Sequence, residues 1–196
     1  VLSGAEIARG TQGSLGFLQL DRSAPLQFDN TMAACLRSFR LMVLVAPLQA
    51  IALLLRYSAS DVSYAVDDLE LVLVETLHYV VDWLLFPVIF YEIARLRGWL
   101  DKFPRYVSAL NWMNLPGMAI AVAVLAVASL LPNAVGDVLR VALQGLVLYW
   151  LVATTRMTLE VSWPISVVLM LANWLPSELL SLIVDRFLGV SLVVGG

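Results

Sequence analysis

Apolar residues fill five stretches of the chain, about 36–57, 69–94, 106–131, 138–157 and 164–185, and short polar segments separate them. A helix rises about 1.5 Å per residue and a hydrocarbon core is about 30 Å thick, so stretches of this length suit a bilayer crossing. The pattern predicts an all-α membrane protein. Residues 31–196 form a bundle of about five transmembrane helices, and residues 1–30 form an N-terminal cytoplasmic or interfacial arm.

Within the arm, Leu15, Phe17, Leu18 and Leu20 are the apolar part of a glycine-rich segment. That composition suits either a short helix lying on the membrane or a loosely held tail, because glycine weakens a helix. Gly4, Gly10, Gly13 and Gly16 interrupt the segment, which therefore does not read as a signal peptide. Phe28-Asp29-Asn30-Thr31 reads as a helix start, with Asp29 or Asn30 capping free N–H groups and Phe28 as a staple. One helix is expected from Met32 to Arg56, kinked at Pro47, with Arg40 and Arg56 snorkelling from the two ends of the span. In the third span Ala119, Ala123 and Ala126 share one face and Gly117, Ala121 and Ala128 the opposite one. Small residues on two faces let two neighbours approach closely, which predicts a central helix. The apolar tail after Phe187 is too short to cross again.

Composition agrees with the pattern. Hydrophobic residues make up 61% of the chain and charged ones 14%, and the mean hydropathy is +0.87. No soluble domain of this size hides so much apolar surface, so the bilayer must be the solvent. A net charge of -3 without any Lys/Arg block gives no reason to expect a nucleic-acid partner. The single Cys35 excludes an internal disulfide and a multi-cysteine metal cage. Nine of the 12 basic residues fall in the arm, the second connection and the fourth connection, against three on the other side. Positive charge is retained in the cytoplasm, so the N-terminus is expected there and the C-terminus outside.

The second span is chemically distinct. Glu75, His78 and Asp82 lie three and four residues apart and share one helical stripe, and His78 is the only histidine in the chain. A charge facing lipid at mid-bilayer costs roughly 2.5–3.5 kcal/mol, so the stripe must face other helices or water. Matched by depth, Arg140 and Gln144 on the fourth span and Glu178 and, deeper, Asn173 on the fifth are its expected partners, with Glu75 meeting Arg140 and His78 or Asp82 meeting Gln144. The plain reading of this intramembrane cluster is a polar network that fixes helix register. The sharper one is a proton or small-cation site, since neighbouring carboxylates and a histidine raise one another's proton affinity. Glu75-x-x-His78 also matches half of a di-iron motif, but the second half is absent and no metal or other cofactor is expected. No nucleophile elbow, zinc-protease pair or phosphate loop occurs, so the chain does not read as an enzyme.

Arg95, Arg97, Lys102 and Arg105 interleave with Trp99, Phe103 and Tyr106, as expected of anchors to anionic headgroups or of a docking site for a partner. Arg156 and Glu160 are four apart and are expected to pair. A weak repeat also appears: Asp82-Trp83 before Pro87, Asn111-Trp112 before Pro116, and Asn173-Trp174 before Pro176.

Phe28-Asp29, then Arg37-Ser38-Phe39, then Tyr106-x4-Asn111-Trp112-x3-Pro116 resembles small uncharacterised polytopic integral-membrane proteins of bacteria. The resemblance implies a multi-pass protein of the bacterial cytoplasmic (inner) membrane and brings no biochemical role with it. The loops are short, and the chain is expected to be a non-catalytic subunit or accessory protein of a larger membrane complex, partnered by other subunits or by itself. The alternative is a small proton- or ion-coupled carrier that uses Glu75, His78, Asp82 and Glu178.

Overall fold

A computed structural model describes residues 2–58, 62–63, 66–189 and 191–192 of the chain. The structure is all-α apart from one short strand pair. In order it contains α1 (Gly4–Leu18), a 3₁₀ turn (Ala24–Gln27), α2 (Met32–Ser38), α3 (Leu41–Ser58), α4 (Asp68–Arg97), α5 (Phe103–Ser129), α6 (Asn133–Leu159) and α7 (Trp163–Phe187). Val62–Ser63 (β1) pairs antiparallel with Ser191–Leu192 (β2). Five segments are long and apolar enough to span a membrane: Met32–Leu55, which comprises α2 and most of α3, and then α4, α5, α6 and α7. Many large apolar side chains on them are exposed, among them Val43, Leu73, Leu77, Val88, Val141 and Ile183, as lipid-facing surfaces require.

The ends of the helices follow local chemistry. Asp67 caps α4 by accepting a bond from the Glu70 N–H at 2.8 Å. Gly98, with φ 72, takes the left-handed conformation that ends the same helix, while the Trp99 N–H bonds back to the Ala94 carbonyl at 2.8 Å. Glu160 ends α6 in the same way with φ 57. Its side chain meets Lys102 at 2.8 Å rather than Arg156, whose guanidinium stacks over Trp163 at 4.7 Å. The expected Arg156–Glu160 pair is therefore corrected, because the left-handed cap takes Glu160 off the helical register that such a pair needs.

The first span is also corrected: it is two helices, broken at Phe39–Arg40, rather than one. Ser38 donates its hydroxyl to the Cys35 carbonyl at 2.6 Å, and Phe39–Arg40 tighten into i→i+3 bonds before α3 begins. Pro47 lies inside α3. Arg40 is exposed at the break, and the side chain of Arg56 lies outside the described residues.

α5 is the hub, as expected, but through its N-terminal half from Pro104 to Met113 rather than its faces of small residues, of which Ala119 and Ala123 are exposed. It packs against α1, α2, α3 and α6 and touches α4, while α7 sits between α6 and α4. The arm is not a loose tail. Ser3 and Glu6 form a capping box that starts α1. Phe17 is fully buried and stacks on Phe28, and the Trp150 indole donates to the Ser14 carbonyl at 2.8 Å. The glycines that weaken this helix in isolation are what let it dock. A Cβ at Gly10 would lie 2.3 Å from the Trp112 ring, and one at Gly13 would lie 2.7 Å from the Gln27 Cβ.

The cap makes α1 sensitive to pH. The Ser3 N–H, 2.9 Å from the Glu6 carboxylate, holds that carboxyl below its ordinary 4.5. A depressed carboxyl stabilises the fold above its unfolded-state value and loses that contribution as pH falls through the depressed one. Hydrogen-exchange protection of α1 is therefore expected to be full above pH 4.5 and to decline below it. Glu6→Gln, which can still accept the bond but does not titrate, should flatten that response; an unchanged pH profile in the variant would locate the sensitivity elsewhere.

Candidate functional site

The stripe predicted on the second span lies on α4 and faces a second stripe on α7 that spacing alone also places on one side of a helix: Asn173, Ser177, Ser181 and Asp185, each four residues from the next. α4 and α7 pack together. Between them His78 is the contact point. Its Nδ1 lies 3.4 Å from the Glu75 carboxylate and its Nε2 lies 3.4 Å from the Ser181 hydroxyl. The carboxylates of Asp82 and Asp185 are also near enough to act on it electrostatically. Glu75 and His78 are mostly buried, with side chains 11% and 19% exposed.

One turn further along α4, this polar track reaches a cavity of about 200 Å³ lined by α4, α5, α6 and α7. Asp82, Asn111, Asn114, Asn173, Trp174 and Ser177 present polar groups to it, and Trp83, Phe86, Leu148 and Leu151 supply apolar wall. Asp82 stands midway along the 30 residues of α4, so the cavity lies well inside the spans. Two of its polar atoms are buried and without a hydrogen-bond partner among the described residues: Asp82 Oδ1, an acceptor, and Trp174 Nε1, a donor. Unpaired buried polar atoms are uncommon in folded proteins, and each costs roughly 1–3 kcal/mol. Both belong to residues that line the one cavity.

The cavity is closed toward the basic end of the bundle. Phe86, Phe90 and Tyr106 pack edge to face, with the Phe90 and Tyr106 centroids 4.5 Å apart, and the fully buried Tyr106 shares a hydrogen bond with Thr155 at 2.9 Å. Sideways, Asn111 donates to the Ser38 hydroxyl at 2.9 Å and so links the cavity wall to the end of α2. The three Asp/Asn-Trp sites of the weak repeat converge here. Asp82, Asn111 and Asn173 all line the one cavity, together with Trp83 and Trp174.

The partners expected on α6 and α7 are placed differently. Arg140 makes its ion pair with Asp137 on its own helix at 2.6 Å, and both side chains are substantially exposed. Gln144 is exposed, on the α6 face that continues four and seven residues on to Leu148 and Leu151 in the cavity wall. Glu178 is exposed among Leu175, Leu179 and Leu182. It follows Ser177 by one residue, a turn of about 100° on a helix, which carries it off the face that meets α4. Matching by depth selected Glu178; matching by face selects Ser177, Ser181 and Asp185, which α7 presents at every fourth position.

At the basic end, Arg95 pairs with Glu92 at 2.7 Å and Arg97 stacks over Trp99 at 5.9 Å. Lys102 and Arg105 are used inside the fold. Lys102 donates to the Leu159 carbonyl at 2.9 Å as well as to Glu160, and Arg105 Nε donates to the Phe28 carbonyl at 3.2 Å. Among the described residues no three His, Cys, Asp or Glu side chains come together in a way that would hold a metal ion. Comparison with protein-family models, with curated proteins and with solved structures finds no match, so the resemblance to the bacterial proteins identifies no family and the chain stands as a polytopic membrane protein on its five helices.

Proposed function

We propose that the protein is a small membrane carrier that binds a proton or a small cation in the cavity between α4, α5, α6 and α7. The observation that carries this reading is Asp82: a carboxylate midway along a span that lines a largely apolar cavity, with one oxygen buried and without a hydrogen-bond partner among the described residues. Binding sites of membrane carriers characteristically lie near the midplane, where an ionisable side chain is otherwise too costly to keep. Asp185, Glu75, His78 and Ser181 supply the entry track. The excess of basic residues at the opposite end argues that this track opens to the outside, with the arm in the cytoplasm of a bacterial inner membrane. Purified protein in liposomes loaded with a pH-sensitive dye should dissipate an imposed proton or sodium gradient faster than empty liposomes. Equal rates under both gradients would end this reading.

A second reading, a non-catalytic subunit of a larger membrane assembly, has one observation in its favour. Glu178 is exposed among lipid-facing leucines, where a charge costs roughly 2.5–3.5 kcal/mol unless another protein covers it. Extraction in mild detergent followed by mass spectrometry decides it: a fixed stoichiometric partner supports the subunit, and a homogeneous species of this chain alone counts against it.

A further inference from the structure

A second cavity, of about 140 Å³, lies at the basic end between the turn of the arm and the ends of α5 and α6. Arg22, Lys102 and Arg105 line it, against one carboxylate, Glu160. Its electrostatics therefore favour an anion even after the Lys102–Glu160 pair is counted. Arg22 makes no hydrogen bond or ion pair among the described residues, and Arg105 commits only its Nε and its backbone N–H. Thr158 completes the wall. It is 4% exposed, yet its Oγ1 is buried with no hydrogen-bond partner among the described residues. A helical threonine normally returns its hydroxyl to the carbonyl four residues back, as Thr155 does to Leu151 at 2.7 Å. Thr158 does not.

We propose that this cavity binds the phosphate group of an anionic ligand. The planar forks of Arg22 and Arg105 and the hydroxyl of Thr158 are donors suited to phosphate oxygens, which accept several charge-assisted bonds at once. Leu26, 72% exposed at the rim, supplies apolar surface beside the charged pocket. That juxtaposition is what a phospholipid presents, with its phosphate at the headgroup level and its chains alongside. A free phosphate offers the same oxygens, and the test separates the two sources. This site shares no lining residue with the cavity around Asp82 and stands or falls independently of it.

The full chain, purified in a neutral detergent, is offered phosphatidylglycerol or phosphatidylcholine and examined by native mass spectrometry; in parallel its thermal unfolding is followed with and without inorganic phosphate. One phosphatidylglycerol per chain should be retained in preference to phosphatidylcholine. Arg22→Gln and Thr158→Val should each weaken retention, the arginine change by about tenfold, the loss of one charge-assisted contact. Arg97→Gln at the same end, whose side chain stacks on Trp99, should not. Arg22 is exposed and makes no bond among the described residues, so its removal leaves the structure standing. An Arg22-dependent thermal shift with inorganic phosphate and no lipid retention would assign the site to a soluble phosphate. Equal weakening by Arg22→Gln and Arg97→Gln, or no Arg22-dependent binding of either probe, overturns the proposal.

Discussion

Asp82→Asn should abolish gradient-driven flux while leaving the protein folded and more stable than the parent. The two halves of this result come from one fact. Asp82 keeps an acceptor oxygen buried at the centre of the bundle without a hydrogen-bond partner among the described residues, which subtracts stability in the absence of a bound cation or proton. Asparagine preserves the volume and removes the charge, and its amide can turn a donor toward the acceptors of Asn111, Asn114 or Ser177 around the cavity. A gain of roughly 1–3 kcal/mol is the size of the penalty relieved. Flux fails because an amide cannot take up and release a proton and attracts a cation far less than a carboxylate does. A structural network behaves in the opposite way: deleting one member of a buried charged pair costs about 3–5 kcal/mol. Thermal unfolding of the purified variant therefore separates the two roles independently of any transport assay. A large loss of stability would assign Asp82 to holding helices together and would end its candidacy as a site. His78→Gln provides the comparison. Its contacts to Glu75 and Ser181 are long, 3.4 Å each, so a small change in stability is expected with a partial loss of flux.

The opposite responses expected at Asp82 and at an ordinary core residue show which parts of this molecule a linear pattern can carry. Span number and order are legible because bilayer thickness imposes length and apolarity on every crossing helix. Helix ends are less legible: the cap expected at Asp29 or Asn30 falls on Thr31, whose hydroxyl accepts from the Ala34 N–H at 3.2 Å, while the Asn30 amide donates to the Asp101 carbonyl at 2.7 Å. The site is half legible. Glu75, His78 and Asp82 stand out because ionisable residues within a span are costly, but the choice of partners depends on which face of α7 turns toward α4. That is a tertiary fact, and depth alone led to Glu178. A polar residue at every fourth position from Asn173 to Asp185 was the available signal, obscured because serine and asparagine are unremarkable in membrane helices. The arm leaves helix and loose tail open in the sequence for another reason. Propensity counts glycine as a cost to a helix, whereas Gly10 and Gly13 are used for close approach to Trp112 and to the 3₁₀ turn. Propensity describes an isolated helix, and α1 is not isolated.

That use of glycine leads to the second large expected effect: Gly10→Leu should release α1 from the bundle. Even a bare Cβ at position 10 would sit 2.3 Å from two atoms of the Trp112 indole, well inside contact distance. Trp112 cannot yield readily, because it is 8% exposed and stands in the packed region between α1 and α5. Overpacking of this kind costs about 1–3 kcal/mol where neighbours can adjust and more where they cannot. Holding α1 in place are burial of Phe17, worth about 1.5–3 kcal/mol, the Trp150–Ser14 bond, worth about 1 kcal/mol, and exposed ion pairs such as Arg9–Asp29 at 3.6 Å, worth little. The steric penalty is comparable with that total, so undocking becomes competitive with distortion. Trypsin should then cut at Arg9 and Arg22 much faster, and residues 4–18 should lose hydrogen-exchange protection while α5, α6 and α7 keep theirs. Gly4→Leu is the control, since nothing lies within 4 Å of a Cβ there, and it should behave like the parent. Trimming the obstacle tests the cause: Gly10→Ala combined with Trp112→Leu should restore part of the protection that Gly10→Ala alone removes, as expected of residues in direct contact. Undiminished protection in Gly10→Leu would mean that Trp112 moves aside. Because its neighbour Asn111 lines the central cavity and holds Ser38 at 2.9 Å, that displacement would appear instead as altered flux, and the arm would be mechanically coupled to the site.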